Sequence, residues 1–190
     1  MTYSIKAEIT KEIFDMEILD LFDSKKNKLN KTFIRDSGET EKGEYRLSLH
    51  VWIINDKNEV LIQQRSLKKN RNPGKWAFTG GLPFAGESSL HGALREVKEE
   101  LDINLNSEEM ELLITFRREH DFVDVWVVRD NTKIEDITVQ KEEVEQVKWV
   151  SMETMEDMIN DGQFVPAVSL YFDLLKKLLH KCYFNKGDNK

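Results

Sequence analysis

Gly81 to Ile103 reads GLPFAGESSLHGALREVKEELDI, preceded by Gly80. Residues three and four apart on a helix share a face, so Glu96, Glu99 and Glu100 project together, with Arg95 beside them. Like charges at that spacing cost an isolated helix roughly 0.2–0.5 kcal/mol per pair, and one arginine offsets only part of it. A divalent cation explains such crowding best, because carboxylates and carbonyls are the hard oxygen ligands that Mg²⁺, Mn²⁺ or Ca²⁺ take. Ser88 or Ser89 can cap the first turn. Leu90, Leu94, Val97 and Leu101 recur at helical spacing as a face for the core. A solvated Glu-rich face is the common alternative, but it explains neither the glycine pair nor Glu87.

These residues carry a resemblance. The Nudix box reads G-x5-E-x7-R-E-U-x-E-E-x-G-U, with U a bulky aliphatic residue. Gly81, Glu87, Arg95-Glu96, Val97, Glu99-Glu100 and Ile103 stand at its offsets. Asp102 replaces the last glycine of the box, where the helix is expected to end in a left-handed residue that Asp tolerates less well than Gly. The chain thus resembles a Nudix hydrolase over these 23 of its 190 residues. Strands on both sides of a helix give an α/β or α+β class by themselves. The resemblance implies an α/β/α sandwich with a mixed sheet.

The resemblance also implies an activity: Mg²⁺-dependent hydrolysis (Mn²⁺ being the alternative) of a diphosphate linkage in a nucleoside diphosphate linked to a further group, by attack of water at phosphorus. By motif position Glu99 and Glu100 are direct metal ligands, and the carbonyl of Gly80 is a further one. Glu96 binds metal or accepts the proton of the attacking water. Gly81 and Glu87 support the site, and Arg95 holds Glu87 in a fork-shaped pair; an ordinary surface pair with Glu99 is the other reading. Outside the box, Glu143 in the run KEEVEQ is the favoured general base, and with Glu96 and Glu99 completes the expected catalytic set. Asp124, within the apolar strand FVDVWVV, either faces solvent or faces the site. Trp76 and Phe78 either stack on a substrate ring or belong to the core. The basic-polar run from Gln63 to Arg71, including Arg65, Lys68 and Lys69, grips distal phosphates or is a solvated loop. His50 reads as a packed strand residue, His91 as a surface residue, and His120 as part of a loop near the site. Met152, Met155 and Met158 suggest core packing.

The bulk properties set limits. A net charge of -7 argues against nonspecific binding to nucleic acid or anionic membranes. Hydrophobic content of 39% with 33% charged residues describes a globular chain long enough for a sizeable core. The single cysteine, Cys182, excludes an internal disulfide and fits a reducing compartment. No stretch is apolar for long enough to span a membrane, and the start lacks a signal-peptide pattern, so the cytoplasm is the expected location. The expected partner is a small-molecule diphosphate. Nudix proteins of this size are often dimers, which leaves a homodimer open.

Residues 1–44 are expected to form an N-terminal hairpin and linker, with EILDLFD and KTFIRD pairing across a polar turn and SGETEKGE following. Residues 45–185 are expected to form the main domain. It comprises a hairpin across Asn55–Asn58, a loop over 66–75, a short strand at 76–79, the acidic helix, strands over 112–118, 122–129 and 146–150, and helices over 153–160 and 166–182. HVWIINDKNEVLIQQRS and NPGKW extend the resemblance to the Nudix subgroup related to isopentenyl-diphosphate isomerases. That isomerase uses a cysteine near this loop, and Trp76–Gly81 contains none, so hydrolysis fits better. The SQPWPFP stretch of NADH-cleaving members, the proline of ADP-ribose enzymes (here Arg118 and Glu119) and the tyrosine of dinucleoside-polyphosphate enzymes (near Asp121) are missing. An idle Nudix module that senses a nucleotide or sugar phosphate is the reading from a different class.

Overall fold

The computed structural model describes residues 17–184. The first sixteen residues of the expected N-terminal unit and the last residue of the expected main domain lie outside them. Strands β1 (Ile18–Phe22) and β2 (Lys28–Ile34) form an antiparallel hairpin. Then come β3 (Arg46–Ile54), β4 (Val60–Arg65), β5 (Trp76–Ala77), helix α1 (Ser89–Leu101), β6 (Glu111–Arg117), β7 (Asp121–Arg129) and β8 (Val144–Val150). Helices α2 (Met152–Asn160), α3 (Pro166–Ser169) and α4 (Phe172–Cys182) close the described chain.

The sheet runs β5-β4-β3-β7-β6, and β8 pairs with β4. It is mixed: β3 and β7 are parallel along their whole length, from Arg46 opposite Asp121 to Ile54 opposite Arg129, while the other pairs are antiparallel. Both faces of this central pair are covered, so its strands are apolar almost throughout. Side chains alternate between faces along a strand. Trp52 and Ile54 of β3, with Val123, Val125 and Val127 of β7, pack against α2, α3 and α4. Leu49, Val51 and Ile53 pack against Ala93, Val97 and Leu101 of α1. The architecture is an α/β/α sandwich.

Two expectations about helices need correction. The buried face of α1 is Gly92, Ala93, Val97, Glu100 and Leu101, while Leu90 and Leu94 are only half-buried. Small residues set that face because α1 lies close on the sheet: a side chain at Gly92 would come within 2.8 Å of Leu49. The expected helix over 166–182 is two helices broken at Leu170–Tyr171, where Tyr171 adopts a non-helical conformation. After the break, Leu175 and Leu179 are fully buried and Leu178 is half-buried.

The hairpin docks on the sheet. Phe22 and Tyr45 exchange backbone hydrogen bonds, Ala85 N–H donates to Ile18 O, and Gly86 N–H donates to Asp20. Lys26, in the hairpin turn, reaches Asp124 of β7 at 2.5 Å.

Candidate active site

The segment from Thr79 to Glu87 delivers the glycine pair. Val51 N–H donates to Thr79 O and Leu49 N–H donates to Gly81 O. Alternation along this extended segment turns the intervening carbonyl of Gly80 away from β3. The approach is tight: a Cβ on Gly80 would stand 2.0 Å from Leu49 O, and one on Gly81 would stand 2.2 Å from the Glu96 carboxylate. Only glycine fits at Gly80, where the obstacle is backbone, whereas a side chain at Gly81 would push the Glu96 carboxylate aside.

Helix α1 starts where the sequence places it. Ser88 caps it by accepting a hydrogen bond from His91 N–H. It ends at Asp102, which is left-handed (φ 57°) and returns its N–H to Lys98 O. An aspartate can therefore do what the box glycine does. Burying Val97 and Leu101 anchors the helix, each contributing about 1.5–3 kcal/mol.

Arg95 organises the acidic side. Its Nε and Nη2 each lie 3.1 Å from Glu87, Nη2 also donates to Leu82 O, and Nη1 meets Glu99 at 2.9 Å and Glu96 at 3.1 Å. Its guanidinium stacks on Phe84, 3.9 Å from the ring centre. Burial opposes the charge of Arg95, but the Glu87 hydrogen bond and the neighbouring carboxylates outweigh it and raise its pKa. The fork to Glu87 and the pair with Glu99 are both present. Glu87 also accepts from Phe84 N–H, which ties down the loop before α1.

Glu96, Glu99 and Glu100 line one polar cleft of about 130 Å³, together with Gly80, Gly81, Arg95 and Glu143. Glu100 is 7% exposed, and its carboxylate accepts a hydrogen bond from the neutral amide of Gln63 at 2.8 Å. Burial pushes its pKa up to about 8; Glu96 and Glu143 add to the rise, and the Gln63 bond opposes it. Burial likewise raises Glu96 against the pull of Arg95. These carboxylates also occupy the last turns of α1, where the helix dipole is negative. Among the described residues no three acidic or imidazole groups close into a ready-made metal cluster, since Glu99 is half-exposed and paired to Arg95.

The remaining expected residues separate cleanly. Glu143 lines the cleft opposite α1 and pairs with Lys69. Arg65 lines it too. Trp76 and Phe78 do not: both are buried on the α2–α4 face, with Phe78 stacked on Trp52 at 4.1 Å, so the core reading holds for them. Asp124 faces neither solvent nor the cleft. It lies on the α1 face of β7, 1% exposed, bonded to Lys26, to Thr115 at 2.5 Å and to Ser89 at 2.6 Å. His120 is exposed beside Glu119. Asp121, expected in the same loop, begins β7; burial opposes its charge, but bonds from Arg118 and Ser48 outweigh this and lower its pKa. His91 is exposed.

Sequence reasoning missed Glu17, Arg35, Phe84 and Gln140, all of which line the cleft. Glu17 and Arg35 bracket the hairpin and pair at 2.5 Å. No local pattern marks them, because they reach the cleft only through the docking of the hairpin.

Comparison with known proteins gives the family and the fold. The NUDIX domain family matches residues 44–168. The chain is 34% identical over 152 residues to an uncharacterised Nudix hydrolase of Listeria monocytogenes, covering 80% of this chain and 89% of that protein. It is 32% identical over 143 residues to the isopentenyl-diphosphate Delta-isomerase of Rhodobacter capsulatus, covering 70% of this chain and 80% of that one. A crystal structure of a Deinococcus radiodurans protein shares the fold at a TM-score of 0.71 and 19% identity, over 88% of this chain and 99% of its own. Among the described residues no helix is long and apolar enough to cross a membrane. The chain belongs to the Nudix family and is a Nudix hydrolase.

Proposed function

We propose that the chain hydrolyses a diphosphate linkage in a nucleoside diphosphate-X or related substrate, with Mg²⁺ or Mn²⁺ as cofactor. The observation that carries this reading is the environment of Glu100. A buried carboxylate among carboxylates, bonded to a neutral amide, is costly unless a cation shares the site. The oxygen donor set fits a hard divalent ion. Glu96, Glu99, Glu100 and the carbonyl of Gly80 would hold it. When bound, the ion neutralises charge on the phosphate oxygens and favours attack by water.

The chain's own groups then have distinct tasks. Arg95 fixes Glu87 and the glycine loop, so that Gly80 and Gly81 keep their close approach to the sheet. Glu143 faces α1 from a separate element and accepts the proton of the attacking water. Lys69, paired with Glu143, can turn to a substrate phosphate. The isomerase reading rests on the Rhodobacter relative; against it, no cysteine lines the cleft among the described residues.

A panel of nucleoside di- and triphosphates, nucleotide sugars, dinucleotides and isopentenyl diphosphate, with Mg²⁺ or Mn²⁺, tests this. Hydrolysis of at least one compound is expected, falling at least about a hundredfold in Glu100→Gln, comparable with losses of other key electrostatic groups. Tight ligand binding without turnover would support a sensing module instead, and formation of the allylic isomer would support the isomerase.

A further inference from the structure

A second groove of about 600 Å³ continues from the carboxylate cleft. Arg35, Arg65 and Lys69 line both, and Arg46 and Arg71 extend the second. Five cationic side chains on one continuous surface stand out in a chain of net charge -7. They come from three places: Arg35 from the end of the hairpin, Arg46 from the start of β3, and the rest from β4 and the loop after it. Two acidic residues, Asp36 and Glu39, sit at the rim. Both are exposed, and Asp36 comes only within 3.9 Å of Arg35.

Arg46, Arg65 and Arg71 have no ion pair among the described residues, and Arg65 donates to the Arg71 carbonyl instead. Arg46 is half-buried, yet its Nε is shielded from water and has no hydrogen-bond partner among those residues. Its guanidinium lies 5.9 Å from the Phe33 ring centre, and its charge acts on Asp121 without forming an ion pair with it. Arg71 is exposed, again with no ion pair among the described residues. The Nε of Arg46 is itself closed to a ligand, but a guanidinium without an ion pair at a groove is complemented by an anionic oxygen. Arginine suits phosphate in particular, because its planar fork presents paired donors.

We propose that this groove binds a further phosphate of the substrate, beyond the two held at the carboxylates, so that the substrate carries a run of three or more phosphates. The inference rests on the diphosphohydrolase reading and narrows its substrate class. The shared lining by Arg35, Arg65 and Lys69 favours a continuous run, because one chain of phosphates can pass from the acidic end to Arg46 and Arg71 without leaving cationic contact.

The test is calorimetric, with inorganic pyrophosphate and inorganic tripolyphosphate titrated into the full chain in one Mg²⁺ buffer. Tripolyphosphate is expected to bind at least about tenfold tighter, the scale of one added charge-assisted contact. Arg46→Gln and Arg71→Gln should each erase most of that ratio. Arg71 sits on an exposed loop, so its variant reports on the groove even if Arg46→Gln folds poorly. Equal affinities in the wild type, or a ratio unmoved by Arg71→Gln, overturns the proposal. If the ratio behaves as expected while no compound of the nucleotide panel is hydrolysed with Mg²⁺ or Mn²⁺, the groove stands and the proposed diphosphohydrolase reading falls. If hydrolysis occurs with no preference for the longer anion, the hydrolytic reading stands and the groove falls.

Discussion

Glu99 and Glu100 are neighbours in sequence but occupy opposite electrostatic situations. Glu99 is half-exposed and neutralised by Arg95, whereas Glu100 is buried and its ionised form is penalised. Replacing Glu100 by Gln removes that penalty, so the metal-free protein should melt at a higher temperature near neutral pH. A gain of about 2–4 °C corresponds to each kcal/mol recovered in a chain of this size. Glu99→Gln should leave the melting point almost unchanged. A thermal scan with chelator present checks both, and a lower melting point for Glu100→Gln would contradict the burial argument. At Asp102, left-handed backbone costs a non-glycine residue roughly 1 kcal/mol or more. Asp102→Gly removes that cost but loses an exposed pair with Lys98, worth about 0.3–0.5 kcal/mol. The net expectation is a gain of about 0.5 kcal/mol, visible as a higher denaturant midpoint with an unchanged slope.

Among the elements, β3 and the α3–α4 junction meet at one hydrogen bond. Tyr171, placed by the helix break, lies 2.6 Å from Nδ1 of the half-buried His50. Burial lowers the His50 pKa to about 4, from the ordinary 6.5. The folded state therefore resists a proton that the unfolded chain accepts below about pH 6.5. This contribution to stability is complete above pH 6.5 and is lost as the pH falls toward 4. Denaturation midpoints between pH 7.5 and 4 should decline in the wild type and decline less in His50→Gln. Parallel curves would sink the assignment. The apolar neighbours of His50 mark it as a packed strand residue, but nothing local points to Tyr171, which stands 121 positions further along the chain.

On the scale of the whole molecule, the hairpin completes the cleft. Lys26 in its turn is bonded to the buried Asp124, while Glu17 and Arg35 at its open end line the site. Lys26→Met leaves Asp124 with its Thr115 and Ser89 donors but no countercharge, which should cost about 1–3 kcal/mol. If the hairpin positions Arg35, KM rises several-fold in this variant while kcat moves less; a loss confined to stability would make the link purely structural. At this scale the sequence is least legible. Spacing along the chain exposes the acidic helix, its cap, its left-handed end and the two hairpins, because each is set by neighbours a few residues apart. The parallel pairing of β3 with β7, the inward turn of Asp124 and the contribution of Arg35 depend on segments dozens of residues apart. Trp76 and Phe78 leave two readings open in the sequence because an aromatic strand looks alike from either face of a sheet.

The cleft has an acidic end on α1 that passes without interruption into a basic end at Arg46 and Arg71. Such a slot is itself a fixed dipole, and a metal is only one way to match it. A small zwitterion, ammonium at one tip and phosphonate at the other, presents the opposite polarity in a single molecule. It would seat itself with its amine among the glutamates and its anion among the arginines, and would compete with divalent ions for the acidic end.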